Sequence, residues 1–310
     1  MLEYSDVWDF HIDARLLVTE KDPEKAAYRE RQLDLDTCGR FGGIFNATGR
    51  RNTLSPEEQW KIVKEEIEVM HNTPGMSVVR NSSEAEGTGK QVIHAEGIYF
   101  IQEEKDFDKL EEMWELGFRS LAPLYNEDNA FGGGAKGDPL RGLTPFGKDF
   151  MKRAWDRGFL LDCAHCNHKS QKDAAEYAHE LGTTLHYTHG LTGDPVLEFF
   201  SERGIQEETL KLLFETGGLA GLSPHPGFYG WFSHFIEDIK RIAEYGPDQV
   251  VLGSDFAGIN TPPVTFSQFP SGMSIPQFAE LLAQETDEDF ARKFCGSTLK
   301  HMVEKSLPSE

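Results

Sequence analysis

The 310-residue sequence predicts an α/β fold, specifically a (β/α)8 TIM-type barrel with extra terminal helices. Two observations predict it: short apolar runs alternate with amphipathic helical patterns, and there are eight such runs. Strands that alternate with helices pair in parallel, and eight units of this kind suit a closed barrel. We expect a single barrel domain over residues 1–310. An open doubly wound sheet is the alternative, but no glycine-rich phosphate loop follows the first run.

The predicted strands are apolar runs bounded by turn residues. The first reads VWDFHID and the last reads QVVLGSDF. The full set covers residues 7–13, 42–48, 91–97, 119–125, 159–165, 183–189, 218–224 and 249–256.

Helix starts and stops separate these strands. Ser55, Pro56 and Glu58 form a capping box with proline at the first helical position, which predicts a helix over the following QWKIVKEEIEVM. Thr144 and Pro145 begin a second helix in the same way, and Gly158 stops it. The segment from SIPQFAELLAQ onward predicts the terminal helices, which we expect to pack outside the barrel.

The formal net charge of -21 comes from 31 basic and 52 acidic residues. Such a surface repels phosphate backbones and anionic lipids, so we expect no nucleic-acid partner and no membrane partner. No apolar run approaches the roughly 20 residues of a membrane span, and MLEYSDVWDF does not resemble a secretory signal. These features predict a cytoplasmic protein. A homodimer is compatible with the sequence, because barrel enzymes often dimerise.

The four cysteines are too few for a disulfide framework in a chain of this length. Cys163 and Cys166 form a CxxC pattern, which is compatible with a redox pair or with half of a zinc knuckle. A second CxxC is absent from the sequence, and the pair follows an apolar strand. We therefore favour buried structural thiols.

Chemically capable side chains collect at the carboxyl ends of the predicted strands, which is where barrel active sites lie. Any one of them alone is compatible with a hydrogen-bonded core residue or a salt bridge at the barrel mouth. Together they come from five strand ends and should converge. They are His11, Asp13, Glu96, His165, His189 and Asp255.

Burying several imidazoles and carboxylates together is costly unless they are paired or bind metal. A set of three histidines and three acidic residues suits Zn²⁺, or alternatively Mn²⁺, Co²⁺ or Fe²⁺. Six ligands are too many for one tetrahedral zinc with an open position. The set therefore predicts two divalent ions that share a bridging carboxylate and a bridging hydroxide.

Several motifs together resemble the membrane (renal) dipeptidase family of the amidohydrolase superfamily. They are the HxD of DFHID, AEG at 95–97, YTH at 187–189 and GSDFAGI at 253–259. The most specific is GLTPFGKDFMKRAWDRGFLLDCAH at 142–165, which is similar to the family's GLT-x-FG…LGM-x-VDLSH signature. The resemblance covers most of the chain.

The resemblance implies a role for each residue at the strand ends. His11 and Asp13 would bind one metal, His165 and His189 the other, and Glu96 would bridge the two. Asp255 would hydrogen-bond the bridging water, serving first as general base and then as acid to the leaving amine.

Two further positions follow from the resemblance. The family uses an arginine to hold the substrate carboxylate, and Arg203 is similar in its local sequence, although an exposed loop arginine is an equal alternative. The family usually has a histidine where this chain has Tyr125. A tyrosine hydroxyl can donate a hydrogen bond to the tetrahedral intermediate but cannot carry an imidazolium charge.

The expected activity is metal-dependent hydrolysis of the amide bond of a small dipeptide-like substrate. The Tyr125 departure motivates an alternative, in which the substrate is an N-acyl amino acid, a lactone or another small amide or ester. A non-catalytic metal-binding scaffold is a third hypothesis. The presence of Asp255, which a scaffold would not need, argues against it.

Overall fold

The computed structural model describes residues 2–13, 15–30, 33–48, 53–193, 202–258 and 273–309. Within these residues, eight parallel strands each overlap one predicted run, and a ninth, two-residue strand (β3) pairs beside β4. The strands are Trp8–Ile12 (β1), Gly42–Asn46 (β2), Ser77–Val78 (β3), Lys90–Glu96 (β4), Phe118–Ala122 (β5), Leu160–Asp162 (β6), Leu185–His186 (β7), Ala220–Leu222 (β8) and Val250–Leu252 (β9).

The strands close into a ring. Hydrogen bonding runs in the order β1-β2-β4-β5-β6-β7, and β8 pairs with β9. Isolated parallel bridges join the two groups, Tyr187 with Ala220 and Ile12 with Phe256. At the second junction the Asp255 N–H donates to the His11 carbonyl over 3.0 Å. The barrel prediction is therefore confirmed, and the carboxyl ends of its strands surround one mouth.

Helices cover the outside of the barrel and follow the strands in the expected alternation. They are Arg15–Thr19 (α1), Pro23–Glu30 (α2), Leu35–Cys38 (α3), Pro56–His71 (α4), Asp108–Leu116 (α5), Pro145–Arg157 (α6), His168–Leu181 (α7), Glu207–Glu215 (α8), Pro226–Tyr229 (α9), Phe232–Ala243 (α10), Ile275–Glu285 (α11), Glu288–Arg292 (α12) and Thr298–Ser306 (α13). Short 3-10 turns occupy Tyr4–Asp6, Ser82–Ala85 and Glu104–Phe107, and a π-helical turn, Lys293–Ser297, links α12 to α13.

The predicted helix ends are confirmed by their capping bonds. In α4 the Ser55 hydroxyl accepts from the Glu58 N–H, and the Glu58 carboxylate accepts from the Ser55 N–H over 3.0 Å. In α6 the Thr144 hydroxyl accepts from the Gly147 N–H over 2.9 Å. Gly158 ends α6 with a φ of 103°, a left-handed conformation that glycine adopts without penalty.

Two glycines allow β8 and β9 to approach β7 closely. A Cβ atom at Gly221 or at Gly253 would collide with the same backbone oxygen, that of Thr188. The close approach seats Thr188, and with it the next residue, His189, against the last two strands. Among the helices of the described ranges, none has both the length and the apolar composition needed to cross a membrane.

Candidate metal centre

The barrel brings all six predicted strand-end residues to one mouth. One group gathers around Glu96, the last residue of β4. The His165 Nε2 lies 2.8 Å from Glu96 Oε1, and the His189 Nε2 lies 3.7 Å from the same oxygen. The two imidazole Nε2 atoms are 3.1 Å apart. Three strands therefore direct one carboxylate and two imidazoles to a common point.

A second group forms where β1 and β9 meet. Ligand atoms of His11, Asp13 and Asp255 lie within 4.8 Å of one another, and so do those of His11, Glu96 and His189. His11 therefore belongs to both groups. Asp255 has a left-handed φ of 56°, which is uncommon outside glycine and occurs where the chain turns after β9.

The buried polar atoms of the site fit a bound cation. Both ring nitrogens of His11 are buried without a hydrogen-bond partner among the described residues. Leaving such an atom unpaired costs about 1–3 kcal/mol. Imidazole nitrogens and carboxylate oxygens are the ligands that zinc and related divalent ions take in proteins. The donor set thus fits divalent metal.

Burial sets the protonation of these groups. It lowers the pKa of His11 to about 3, with help from the positive charges of Arg203 and Arg15. Burial, together with the charge of the Asp13 carboxylate, raises the pKa of Asp255 to about 8. The pKa of Glu96 also rises well above its usual range through burial and the Asp13 charge. The imidazoles are therefore neutral and ready to bind metal, whereas the carboxylates hold protons that a cation would displace.

Neighbouring side chains fix the orientation of two imidazoles. The Nδ1 of His165 lies 2.9 Å from the Asn126 side-chain oxygen. The Thr188 hydroxyl donates to Asp162 over 2.7 Å, so it accepts from the His189 Nδ1–H at 3.0 Å. Each bond uses the far nitrogen of its ring and leaves Nε2 as the ligand atom.

The predicted set omits Asn46, the last residue of β2. Its side-chain amide donates to Asp13 Oδ1 over 2.9 Å and to Glu96 Oε2 over 3.3 Å. The signal was the one that identified the other residues, because Asn46 is a polar side chain at the carboxyl end of a predicted strand.

Tyr125 and Arg203 both lie at the site. The Tyr125 ring stacks on the His165 ring with centroids 4.2 Å apart, and burial raises its pKa, so the hydroxyl stays a proton donor. Arg203 is only 4% exposed, and its guanidinium donates to the carbonyl of Ala164, the residue before His165. Arg203 is therefore not an exposed loop arginine.

A cavity of about 700 Å³ opens above the carboxylates. This volume lies within the range of small-molecule sites. Its lining includes Asp13, Asn46, Glu96, Tyr125, Asn126 and Lys136. Part of the segment HGLTGDPVLEFFSE, which follows β7, lies outside the described residues, at 194–201.

The four cysteines are free thiols, and all are buried. The Cys163 thiol donates to the His186 carbonyl over 3.2 Å. The expected structural role of the CxxC pair agrees with this burial.

The chain is similar to proteins of a known family and to solved structures. The model of the family described as membrane dipeptidase (peptidase family M19) matches residues 7–302. An uncharacterized protein in the pqqA 5' region of Klebsiella pneumoniae is 31% identical over 189 residues, which are 55% of this chain and 66% of that protein. An uncharacterized protein in the PQQ-III 3' region of Acinetobacter calcoaceticus is 27% identical over 259 residues, which are 70% of this chain and 79% of that protein.

Solved structures share the fold. The metallopeptidase called dipeptidase AC superposes with a TM-score of 0.77 at 24% identity, over 98% of this chain and 99% of that one. A Rhodobacter sphaeroides metallopeptidase was solved with a phosphinate mimic of the dipeptide L-Ala-D-Ala. It superposes with a TM-score of 0.77 at 22% identity, over 98% of this chain and 100% of that one.

Proposed function

The chain belongs to the membrane dipeptidase family, and from that premise we propose that it is a metal-dependent dipeptidase. Its substrate would be a small dipeptide-like molecule with a free carboxylate, cleaved at the amide bond. The observation that carries the proposal is the convergence of six strand-end residues around buried imidazole and carboxylate atoms that fit a cation. The dipeptide mimic bound by the Rhodobacter sphaeroides protein makes L-Ala-D-Ala the first substrate to test.

We infer two ions, with zinc as the first candidate and manganese, cobalt or iron as alternatives. His11 and Asp13 would hold one ion, His165 and His189 the other, and Glu96 would contact both. When bound, such ions lower the pKa of water and polarise the scissile carbonyl.

Asp255 would move the proton. Its carboxylate lies among the ligand atoms of His11 and Asp13, so it is within reach of a water at the centre of the site. It would accept a proton from the attacking water and return it to the leaving amine. Burial raises the pKa of Asp255 to about 8 in the metal-free protein, and bound cations would lower it again, so that the ionised carboxylate is free to accept the proton.

Tyr125 and Arg203 would handle the substrate. The neutral Tyr125 hydroxyl would donate to the oxygen that gains charge in the transition state. Arg203 would bind the terminal carboxylate with its two-pronged guanidinium. Cytoplasmic location and a homodimer belong to the same proposal and need fractionation and light scattering to test them.

The direct test replaces metal ligands. We expect His165→Ala and Glu96→Ala each to abolish turnover of L-Ala-D-Ala and to remove bound metal, measured by elemental analysis after dialysis. Lys152→Ala on the outside of α6 is the control, because Lys152 is exposed and pairs only with Asp156 among the ion pairs of the described residues. If the double variant that combines His165→Ala with Glu96→Ala is active and holds no metal, the proposal is overturned.

Tyr125 favours a second candidate, hydrolysis of N-acyl amino acids, lactones or other small amides and esters. A panel of L-D dipeptides, acyl-amino acids and lactones with saturating Zn²⁺ or Mn²⁺ separates the two. Strong lactone turnover without dipeptide turnover would favour the second candidate.

A further inference from the structure

We propose that Asn46 is a positioning residue that selects which oxygen of Asp13 and which oxygen of Glu96 faces the metal ions. The inference rests on the proposed function, since it concerns the same ions. Asn46 is 1% exposed, and its amide nitrogen contacts both carboxylates, at 2.9 and 3.3 Å. An asparagine amide has two N–H donors, so it can serve one carboxylate with each.

The oxygens that Asn46 binds are the ones turned away from the imidazoles. It binds Asp13 Oδ1, whereas the other oxygen of Asp13, Oδ2, lies 4.0 Å from His11 Nε2. It binds Glu96 Oε2, whereas Oε1 lies 2.8 Å from His165 Nε2. By occupying one oxygen of each carboxylate, the amide leaves the other oxygen directed at the ligand nitrogens.

Asn46 is itself held in place. Its side-chain oxygen accepts from the Thr48 N–H over 3.1 Å, which fixes the nitrogen towards the carboxylates. The Thr48 hydroxyl accepts from the Glu96 N–H over 2.7 Å and donates to the Glu96 carbonyl over 2.9 Å. Arg15 donates to the Thr48 carbonyl over 3.0 Å. The amide therefore has a defined direction, as an orienting partner of a metal ligand requires.

The same strand ladder explains why this position serves both ligands. Asn46 on β2 pairs with His94 on β4, two residues before Glu96. Asp13 follows β1, the other neighbour of β2. A side chain at the end of β2 thus stands between the two carboxylates, and no residue on β1 or β4 has that position.

A matched control separates positioning from simple loss of a buried amide. Gln91 on β4 is also fully buried, and its amide donates to the Met70 carbonyl over 2.8 Å. It pairs with Gly43, three residues before Asn46, at a distance from the mouth. Replacing either residue with leucine removes buried hydrogen bonding, but only the Asn46 amide contacts the carboxylates of the proposed metal site.

The experiment compares Asn46→Leu with Gln91→Leu. Zn²⁺ affinity of each purified protein is measured by competition with a chromophoric chelator, and the visible spectrum of the Co²⁺-loaded protein reports ligand geometry. We expect Asn46→Leu to weaken Zn²⁺ binding roughly 10–100-fold and to shift the Co²⁺ spectrum, because loss of an orienting partner has effects of this size. Gln91→Leu should lower thermal stability while leaving both metal readouts unchanged.

Asn46→Ala, which adds no bulk, provides the same comparison if the leucine variant fails to fold. Equal Zn²⁺ affinity and an unchanged Co²⁺ spectrum in a folded Asn46 variant would overturn the inference while leaving the dipeptidase proposal intact. A wild-type protein that binds none of Zn²⁺, Co²⁺, Mn²⁺ and Fe²⁺ would overturn the dipeptidase proposal itself.

Discussion

In each imidazole that a neighbour orients, the hydrogen bond at Nδ1 leaves Nε2 as the nitrogen that can bind a metal ion. His165 uses Nδ1 against Asn126, and His189 uses Nδ1 against Thr188. His11 differs, since neither of its ring nitrogens has a hydrogen-bond partner in the described part of the chain. The orientation of His11 therefore depends on ring packing, with the His189 ring centroid 3.8 Å away.

Asp255 can be tested at this scale, because asparagine has its size without its proton chemistry. We expect Asp255→Asn to reduce kcat by about 10²–10⁴, the usual contribution of general acid–base catalysis. Bound metal should stay at the wild-type amount, because the proposed ligands are His11, Asp13, Glu96, His165 and His189, and Asp255 is proposed to move a proton. Steady-state kinetics with elemental analysis checks both. A kcat within threefold of wild type would contradict the role of Asp255.

The sequence predicted the candidate ligands but not the residues that hydrogen-bond to them. His11 and Asp13 stand out because alternation along a strand places them on one face at its end. Asn46 and Arg15 act through hydrogen bonds to residues on other strands and loops, and these depend on strand register. A single sequence contains no direct record of register, so these contacts needed the structure.

At the scale of elements, the apolar runs predicted all eight barrel strands, but several strands are shorter than the runs. The run at 183–189 contains only Leu185–His186 as strand, and His189 lies three residues beyond it. After β9 the backbone leaves the ladder before it reaches Asp255, whose φ is positive. Apolar composition extends past the hydrogen-bonded ladder, so pattern alone overestimates strand length.

Two of the glycines that end helices in the described residues make a matched pair for a stability test. Gly158 ends α6 with a φ of 103°, and a Cβ there would lie 3.2 Å from the Trp114 ring. Gly182 ends α7 with a φ of 65°, and nothing lies within 4 Å of its Cβ position. We expect Gly182→Ala to cost about 1 kcal/mol of the free energy of unfolding, from the left-handed backbone alone.

Gly158→Ala should cost more than Gly182→Ala, because it adds a tight contact to the backbone strain. Urea denaturation of both variants measures the difference. Equal losses would mean that the Trp114 ring moves aside freely.

At the scale of the whole molecule, metal and pH should act together on stability. Burial raises the pKa of Asp255 from 3.8 to about 8, so the metal-free folded state holds a proton that the unfolded chain releases. That contribution is complete below about pH 4 and is lost as the pH rises to 8. Burial lowers the pKa of His11 from 6.5 to about 3. The contribution of His11 to stability therefore increases with pH between these two values and is complete above pH 6.5.

Between pH 6.5 and 8, the carboxylates therefore determine how the stability of the metal-free protein changes with pH. We expect the melting temperature of the metal-free protein to fall across that window and the gain on adding Zn²⁺ to increase. Differential scanning fluorimetry with EDTA or with Zn²⁺ checks this. A metal-free melting temperature that rises across the window would contradict the expectation.

The junction of β1 with β9 has a consequence for protein synthesis. The Ser254 N–H donates to the Asp9 carboxylate, 245 residues earlier, and the Asp13 N–H donates to the Phe256 carbonyl. While a ribosome makes the chain from its amino end, His11 and Asp13 emerge long before the strand that completes their surroundings. A nascent chain thus lacks the complete surroundings of the proposed ligands His11 and Asp13 until β9 has left the exit tunnel, so we expect metal loading to be one of the last events in maturation.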